Sequence, residues 1–152
     1  MNILITVGTT SFDSLVRHVD SLASELDNIN LTFQIAGGDY VPRYGIFFEF
    51  SKEIESYYKD SDLIITHAGA GTIYRLLELG KKFIIVPNME RVDKHQSDIA
   101  DYMEQNSHAL VLKDFSQLPE LIELAKVFNF KTYAKERFFV GKSIADFILS
   151  SS

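Results

Sequence analysis

No cysteine occurs among the 152 residues, which excludes disulfides and thiolate metal sites together. Long apolar runs are missing as well. Segments such as "FIIVP" at 83–87 fall far short of the roughly 20 residues that cross a bilayer. The N-terminal "MNILITVG" has neither the basic region nor the long apolar region of a secretory signal. There is no long basic run, and the formal net charge is −6, so the phosphate footprint of a nucleic-acid binder is absent and no nucleic-acid partner is expected. A cytoplasmic chain is the expectation, with attachment to a membrane through a partner left open. Internal repeats, low-complexity tracts and linkers are also lacking, and the length suits one domain over residues 1–152.

What is present is a regular alternation. Apolar runs of strand length alternate with stretches of helical period, the pattern of βαβ units around a parallel sheet. Strands are expected at 3–7, 31–36, 46–50, 63–66, 82–87 and 108–112. The fifth is uniformly apolar, as a strand covered on both faces should be. Between the first two, Leu15, Val16, Val19, Leu22, Ala23 and Leu26 share one helix face. A short polar-sided helix is expected at 52–59. Ile73, Leu76 and Leu77 mark the next helix, closing at Gly80 as a C-cap. Ile99, Ala100 and Met103 define another near 94–105. "SQLPELIELAKVF" and "GKSIADFIL" read as closing helices. The fold class is therefore α/β, a doubly wound, Rossmann-like parallel sheet of about six strands.

Open parallel sheets bind ligands beyond the carboxyl ends of their strands, where strand order reverses. The loops on that edge are "GTTSFD", "GGDY", "HAGAGT" and "PNMERVDKHQ". In "HAGAGT", residues 67–72, two glycines and two alanines lie between a strand and a helix. The helix start offers unpaired N–H groups and the positive end of a dipole, and small side chains let an anion approach them. A tight strand-to-helix turn is the plainer explanation of the same glycines. Thr72 either caps the helix or adds a hydroxyl. In the first loop, Thr9, Thr10 and Ser11 either cap the following helix or contact the ligand's phosphate or sugar. His67, at a strand end, is placed to meet a sugar hydroxyl, to move a proton, or simply to brace the loop. His95 and Gln96 carry donors and acceptors suited to sugar hydroxyls. His18 and His108 read as packing or solvated residues.

Other patterns carry less. "DSD" at 60–62 has the carboxylate spacing of a metal-held nucleotide site, but it precedes a strand and so falls on the wrong edge. "VGKS" at 140–143 lacks the first glycine of a phosphate-binding P-loop, because Glu136 stands there. No Gly-x-Ser-x-Gly elbow occurs. Asp93, His95 and Asp98 have a spacing that arises commonly by chance.

Three stretches, "ILITVGTTSFDSLV", "DLIITHAGAGTIYRLLELGKKFIIVPN" and "DKHQSDIADYM", together resemble the glycosyltransferase family 28 C-terminal domain over about residues 2–112. The form resembled is the small, donor-binding subunit of two-chain UDP-sugar transferases of N-glycan assembly and bacterial exopolysaccharide synthesis. The resemblance implies half of a GT-B enzyme. A membrane-associated partner would supply the acceptor half and the lipid-linked acceptor, and a UDP-sugar would be the donor. Transfer would be inverting, with no metal and no cofactor, and the catalytic base is unassigned in this chain. By position, Gly8, Thr9 and Thr10 match the family's first loop. His67, Ala68, Gly69, Ala70, Gly71 and Thr72 match its diphosphate loop. Asn88, His95 and Gln96 fall in the stretches near the donor sugar. Arg75 departs from the pattern, standing where the family usually has a ribose-holding glutamate. Arginine accepts no hydrogen bond, so it would touch phosphate or a carboxylated sugar instead. A non-catalytic nucleotide-sugar-binding module is the competing reading, and a stand-alone epimerase-type enzyme a third. The terminal "FFVGKSIADFIL" either closes the domain's own core or faces the partner.

Overall fold

The computed structural model describes residues 1–88 and 94–133. The chain runs through β1 (Asn2–Thr6), α1 (Asp13–Leu22), β2 (Asn30–Gln34), β3 (Ile46–Phe48), α2 (Ile54–Asp60) and β4 (Leu63–His67). It continues through α3 (Ala70–Glu78), β5 (Phe83–Val86), α4 (Lys94–Gln105), β6 (Leu110–Val111) and α5 (Leu118–Val127). The strands form a single parallel sheet in the order β3-β2-β1-β4-β5-β6. Strand order reverses between β1 and β4, so the loops leaving those two strands are the ones to examine.

Alternation along the strands builds a core on each face of the sheet. Ile3, Ile5, Leu63 and Ile65 point to the layer covered by α1 and α5. Leu4, Ile64, Phe83 and Ile85 point to the layer covered by α3 and α4. Both layers are closed to water, which explains the uniformly apolar β5 and the absence of a polar face on β4. Each fully buried Ile or Leu contributes roughly 1.5–3 kcal/mol of burial.

Several boundaries differ from the expectation, each for a local reason. The second strand stops at Gln34 rather than 36, because Ala36 (φ 49°) and Gly37 (φ 63°) turn the chain through the left-handed region. The first α-helix stops at Leu22 and tightens into a 3-10 turn over Ala23–Glu25. Leu22, Ala23 and Leu26 still pack against the first core layer. Gly80 acts as expected: its N–H donates to the Leu77 carbonyl and the Lys81 N–H to that of Leu76, with Gly80 at φ 63°, a Schellman closure. The expected helix over "GKSIADFIL" and the "VGKS" stretch lie outside the described residues.

Asp20 is a fully buried carboxylate on α1, which the apolar pattern of that helix did not announce. It accepts hydrogen bonds from the Tyr40 hydroxyl (2.5 Å), the Arg43 N–H (3.0 Å) and the Tyr44 N–H (2.9 Å). Burial alone would raise its pKa. The Tyr40 hydroxyl and the two backbone donors outweigh that and hold it below the ordinary carboxylate value. One turn and a half earlier, the Asp13 carboxylate accepts the Asp39 N–H at 3.0 Å, so one helix face pins the loop after β2.

Candidate functional site

The loop after β1 is shaped by Gly8 at φ 68°, a conformation that costs other residues about 1–2 kcal/mol. Its N–H donates to Gln34 Oε1 at 3.0 Å and its carbonyl accepts from Gln34 Nε2 at 2.9 Å. Thr9 is exposed and Thr10 half-buried. Phe12 occupies the N-cap position of α1 without any side-chain cap bond, so the capping role open to these hydroxyls is not used.

The loop after β4 centres on His67. A methyl group on Gly8 would lie 2.7 Å from His67 Cε1, and one on Gly69 would overlap Nε2, so the ring is wedged between two glycines. Burial pushes the His67 pKa below the ordinary histidine value, against a smaller opposing pull from the Thr6 backbone. No hydrogen bond closes on its buried Nδ1. The ring is therefore neutral at pH 7.

Gly69 is the N-cap of α3, in an extended conformation (φ −79°, ψ 122°) with no side-chain cap, and the first turn holds no acidic residue. The helix gives no partner to the N–H groups of its first turn, so Ala70, Gly71 and Thr72 present them at the switch point. A methyl group on Gly71 would meet nothing within 4 Å, and Gly71 has no positive φ. Ala68 is buried and anchors the turn. The Tyr58 hydroxyl of α2 lies against Thr6 and Thr72. Burial raises its pKa while those two hydroxyls pull the other way.

The remaining candidates divide. Arg75 is already engaged: its Nε donates to Glu55 at 2.6 Å and its Nη1 to Glu78 at 2.8 Å, which raises its pKa further. The backbone N–H of Asn88, a buried residue just past β5, donates to Gln96 Oε1 at 3.1 Å, tying the end of β5 to the first turn of α4. His95 stands beside Gln96, and both are half-buried. Asp93 lies outside the described residues. His18 stacks on Phe115 at 4.8 Å, and His108 bonds the Lys131 carbonyl at 2.9 Å, so both serve packing and bracing.

Two cavities need placing. One of about 270 Å³, lined largely by Phe12, Val86, Pro87, Ala100, Leu112 and Phe115, opens beside α4; its apolar wall does not suit an anion. The other, about 590 Å³, is lined by Asn2, Thr32 and Asp60 among others and lies at the opposite, N-terminal edge. "DSD" is on that edge too: Asp62 Oδ2 accepts the Asn2 N–H at 2.7 Å.

Two residues at the site carry no motif signal. Gln34 and Tyr58 each reach a candidate loop from a neighbouring element. The available sign was a lone amide in the apolar run "LTFQIA" and a tyrosine on an otherwise polar helix.

A doubly wound parallel sheet with an uncapped helix start at its switch point defines a nucleotide-binding α/β protein. The chain belongs to the glycosyltransferase family 28 C-terminal domain, whose model matches residues 2–137. It is 36% identical over 119 residues to the human UDP-N-acetylglucosamine transferase subunit ALG13, a match covering 70% of this chain and 10% of that protein. The chain thus spans about a tenth of the length of that relative. Among solved structures, Acinetobacter baumannii MurG superposes with a TM-score of 0.67 at 21% identity, over 84% of this chain and 42% of that one. The solution structure of ALG13 superposes with a TM-score of 0.59 at 21% identity, over 90% and 92%. These likenesses place the fold as that of one half of a GT-B glycosyltransferase.

Proposed function

We propose that this chain is the donor-binding subunit of a two-chain glycosyltransferase, its 152 residues forming one domain that holds a UDP-sugar. The observation that carries the reading is the start of α3: free of caps and acids, opened by Gly71, and set at the switch point. The partner, membrane-associated, brings a lipid-linked acceptor. Among the described residues no helix is long and apolar enough to cross a membrane, in keeping with attachment through that partner.

The reaction is inverting and needs no metal. A base takes the proton from the acceptor hydroxyl, and its oxygen attacks the anomeric carbon from the face opposite the diphosphate. The bond from that carbon to the β-phosphate oxygen breaks, and the electron pair leaves with UDP. The N–H groups of Ala70, Gly71 and Thr72 and the dipole of α3 stabilise the departing charge. One such preorganised donor is worth roughly 2.7–4 kcal/mol at a transition state. His67, neutral, adds shape without a competing charge. Gly8, Thr9 and Thr10 face the same diphosphate and sugar, while Asn88, His95 and Gln96 serve the donor sugar. Arg75 reaches the donor by exchanging Glu55 or Glu78 for phosphate or a sugar carboxylate. The base belongs to the partner.

Co-expression with an acceptor-half chain, followed by transfer from UDP-N-acetylglucosamine to a lipid diphosphate acceptor, tests this. Activity that needs both chains is expected; full-rate transfer by the lone chain would overturn the split. One observation favours the second reading, a binding module without catalysis. The position expected to hold ribose carries Arg75, and its two carboxylate partners are locked to it. UDP binding without transfer in the presence of any partner would select that reading.

A further inference from the structure

We propose that Gln34 is a positioning residue that sets the donor loops against one another, holding Gly8 and, through it, the His67 ring against the start of α3. The inference rests on the donor-binding reading above. Gln34 is buried at the end of β2, and its side-chain amide makes five hydrogen bonds. Oε1 accepts from Thr6 Oγ1 (2.7 Å), the Val7 N–H (3.1 Å) and the Gly8 N–H (3.0 Å). Nε2 donates to the carbonyls of Gly8 (2.9 Å) and Glu49 (2.7 Å). Both amide hydrogens are used, and a flipped amide would face N–H groups with N–H groups, so one orientation is selected.

The amide reaches where the sheet does not. The β1–β2 ladder ends at the pair Thr6 and Gln34, and the β2–β3 ladder at Gln34 and Phe48. Gly8 and Glu49 lie past those ends, on irregular backbone, and Gln34 joins the loop after β1 to the loop after β3. From Gly8 the contact passes on without slack. The His67 ring fills the space that a methyl group on Gly8 or Gly69 would occupy, and Gly69 is the N-cap of α3. A shift of Gly8 therefore moves the ring, and the ring moves the N–H groups offered to the diphosphate. Thr66 supplies the contrast. It sits opposite Thr6 in the same row, fully buried, with an Oγ1 that meets no partner, and it touches neither loop through a hydrogen bond.

Gln34→Met keeps length and volume and removes all five bonds. Amide spectra of the ligand-free chain should show Gly8, Gly69 and Gly71 displaced, and UDP titration should show affinity lowered tenfold or more. Thr66→Val should leave all four readouts as in the wild type. Should Gln34→Met not fold, Gln34→Glu retains the acceptor oxygen and loses the donation to Gly8 and Glu49. The same three glycines should then shift. Unmoved Gly69 and Gly71 in a folded Gln34 variant, unchanged UDP affinity, or equal shifts in Thr66→Val would each overturn the inference. If the wild type binds no UDP, the functional reading fails on its own, while the glycine shifts still decide the role of Gln34.

Discussion

Gly71→Ala separates a glycine kept for folding from one kept for a ligand. Gly71 lies inside α3, its φ is not positive, and an added Cβ would meet no atom within 4 Å. Nothing in the fold asks for glycine there. Alanine in a helix is favoured over glycine by roughly 0.5–1 kcal/mol. At roughly 2–4 °C per kcal/mol for a chain of this size, Tm should rise by about 1–4 °C. The same methyl group stands over the first-turn N–H groups, where the diphosphate is proposed to seat. Loss of that approach should weaken UDP binding at least tenfold, about 1.4 kcal/mol. Calorimetric unfolding and UDP titration on one preparation check both signs. A variant that is more stable and binds UDP as tightly as the wild type would refute the argument that the small side chain admits an anion.

Gly69→Ala should behave in the opposite way. Its backbone tolerates alanine, but the methyl group overlaps His67 Nε2, and overpacking of this kind costs roughly 1–3 kcal/mol, seen as a lower urea midpoint. The depressed pKa of His67 makes stability depend on pH with a definite sign. Between its folded value and the ordinary value of about 6.5 the unfolded chain binds more protons, so stability rises with pH through that window. The contribution is fully present above about 6.5 and is lost as pH falls to the folded value. Urea unfolding of wild type and His67→Gln from pH 5 to 7.5 should show the slope only in the wild type. Asp20→Ala leaves the Tyr40 hydroxyl and two backbone donors without their acceptor, a loss of roughly 1.5–3 kcal/mol or more. Faster amide exchange at Arg43 and Tyr44 should accompany the lower stability, and unchanged exchange there would argue against the clamp.

The architecture was legible because it depends on local periodicity. Apolar runs and helical stripes placed six strands and the described helices in order, and Gly80 was readable as a helix end because its closure involves only neighbours in sequence. The edge carrying "DSD" followed from its position before a strand. Roles that depend on distant groups were not legible. Gln34 bonds backbone atoms 26 and 15 residues away, and Asp20 bonds a loop more than 20 residues on. Their side chains look like ordinary polar residues until the chain brings their partners in. The cluster of glycines was visible as a cluster, but its causes were not. Gly8 is required by backbone conformation, Gly69 by the His67 ring, and Gly71 by neither.

Arg75 shows how one departure from the family pattern redistributes charge. A carboxylate at this position of α3 would stand free near the switch point, whereas arginine draws Glu55 from α2 and Glu78 from its own helix. Two acidic groups are thereby held together on one guanidinium, 20 residues and three residues away along the chain. An exposed pair of this kind contributes only about 0.2–1 kcal/mol to stability, so folding alone gives little reason for it. Its larger consequence is local: the α2–α3 flank of the site keeps two carboxylates neutralised beside a helix start that favours anions. Removing the arginine would leave both negative charges bare near the approach of a diphosphate. The departure is therefore consistent with anion binding at α3, and what it changes is the recognition of the group attached to that anion.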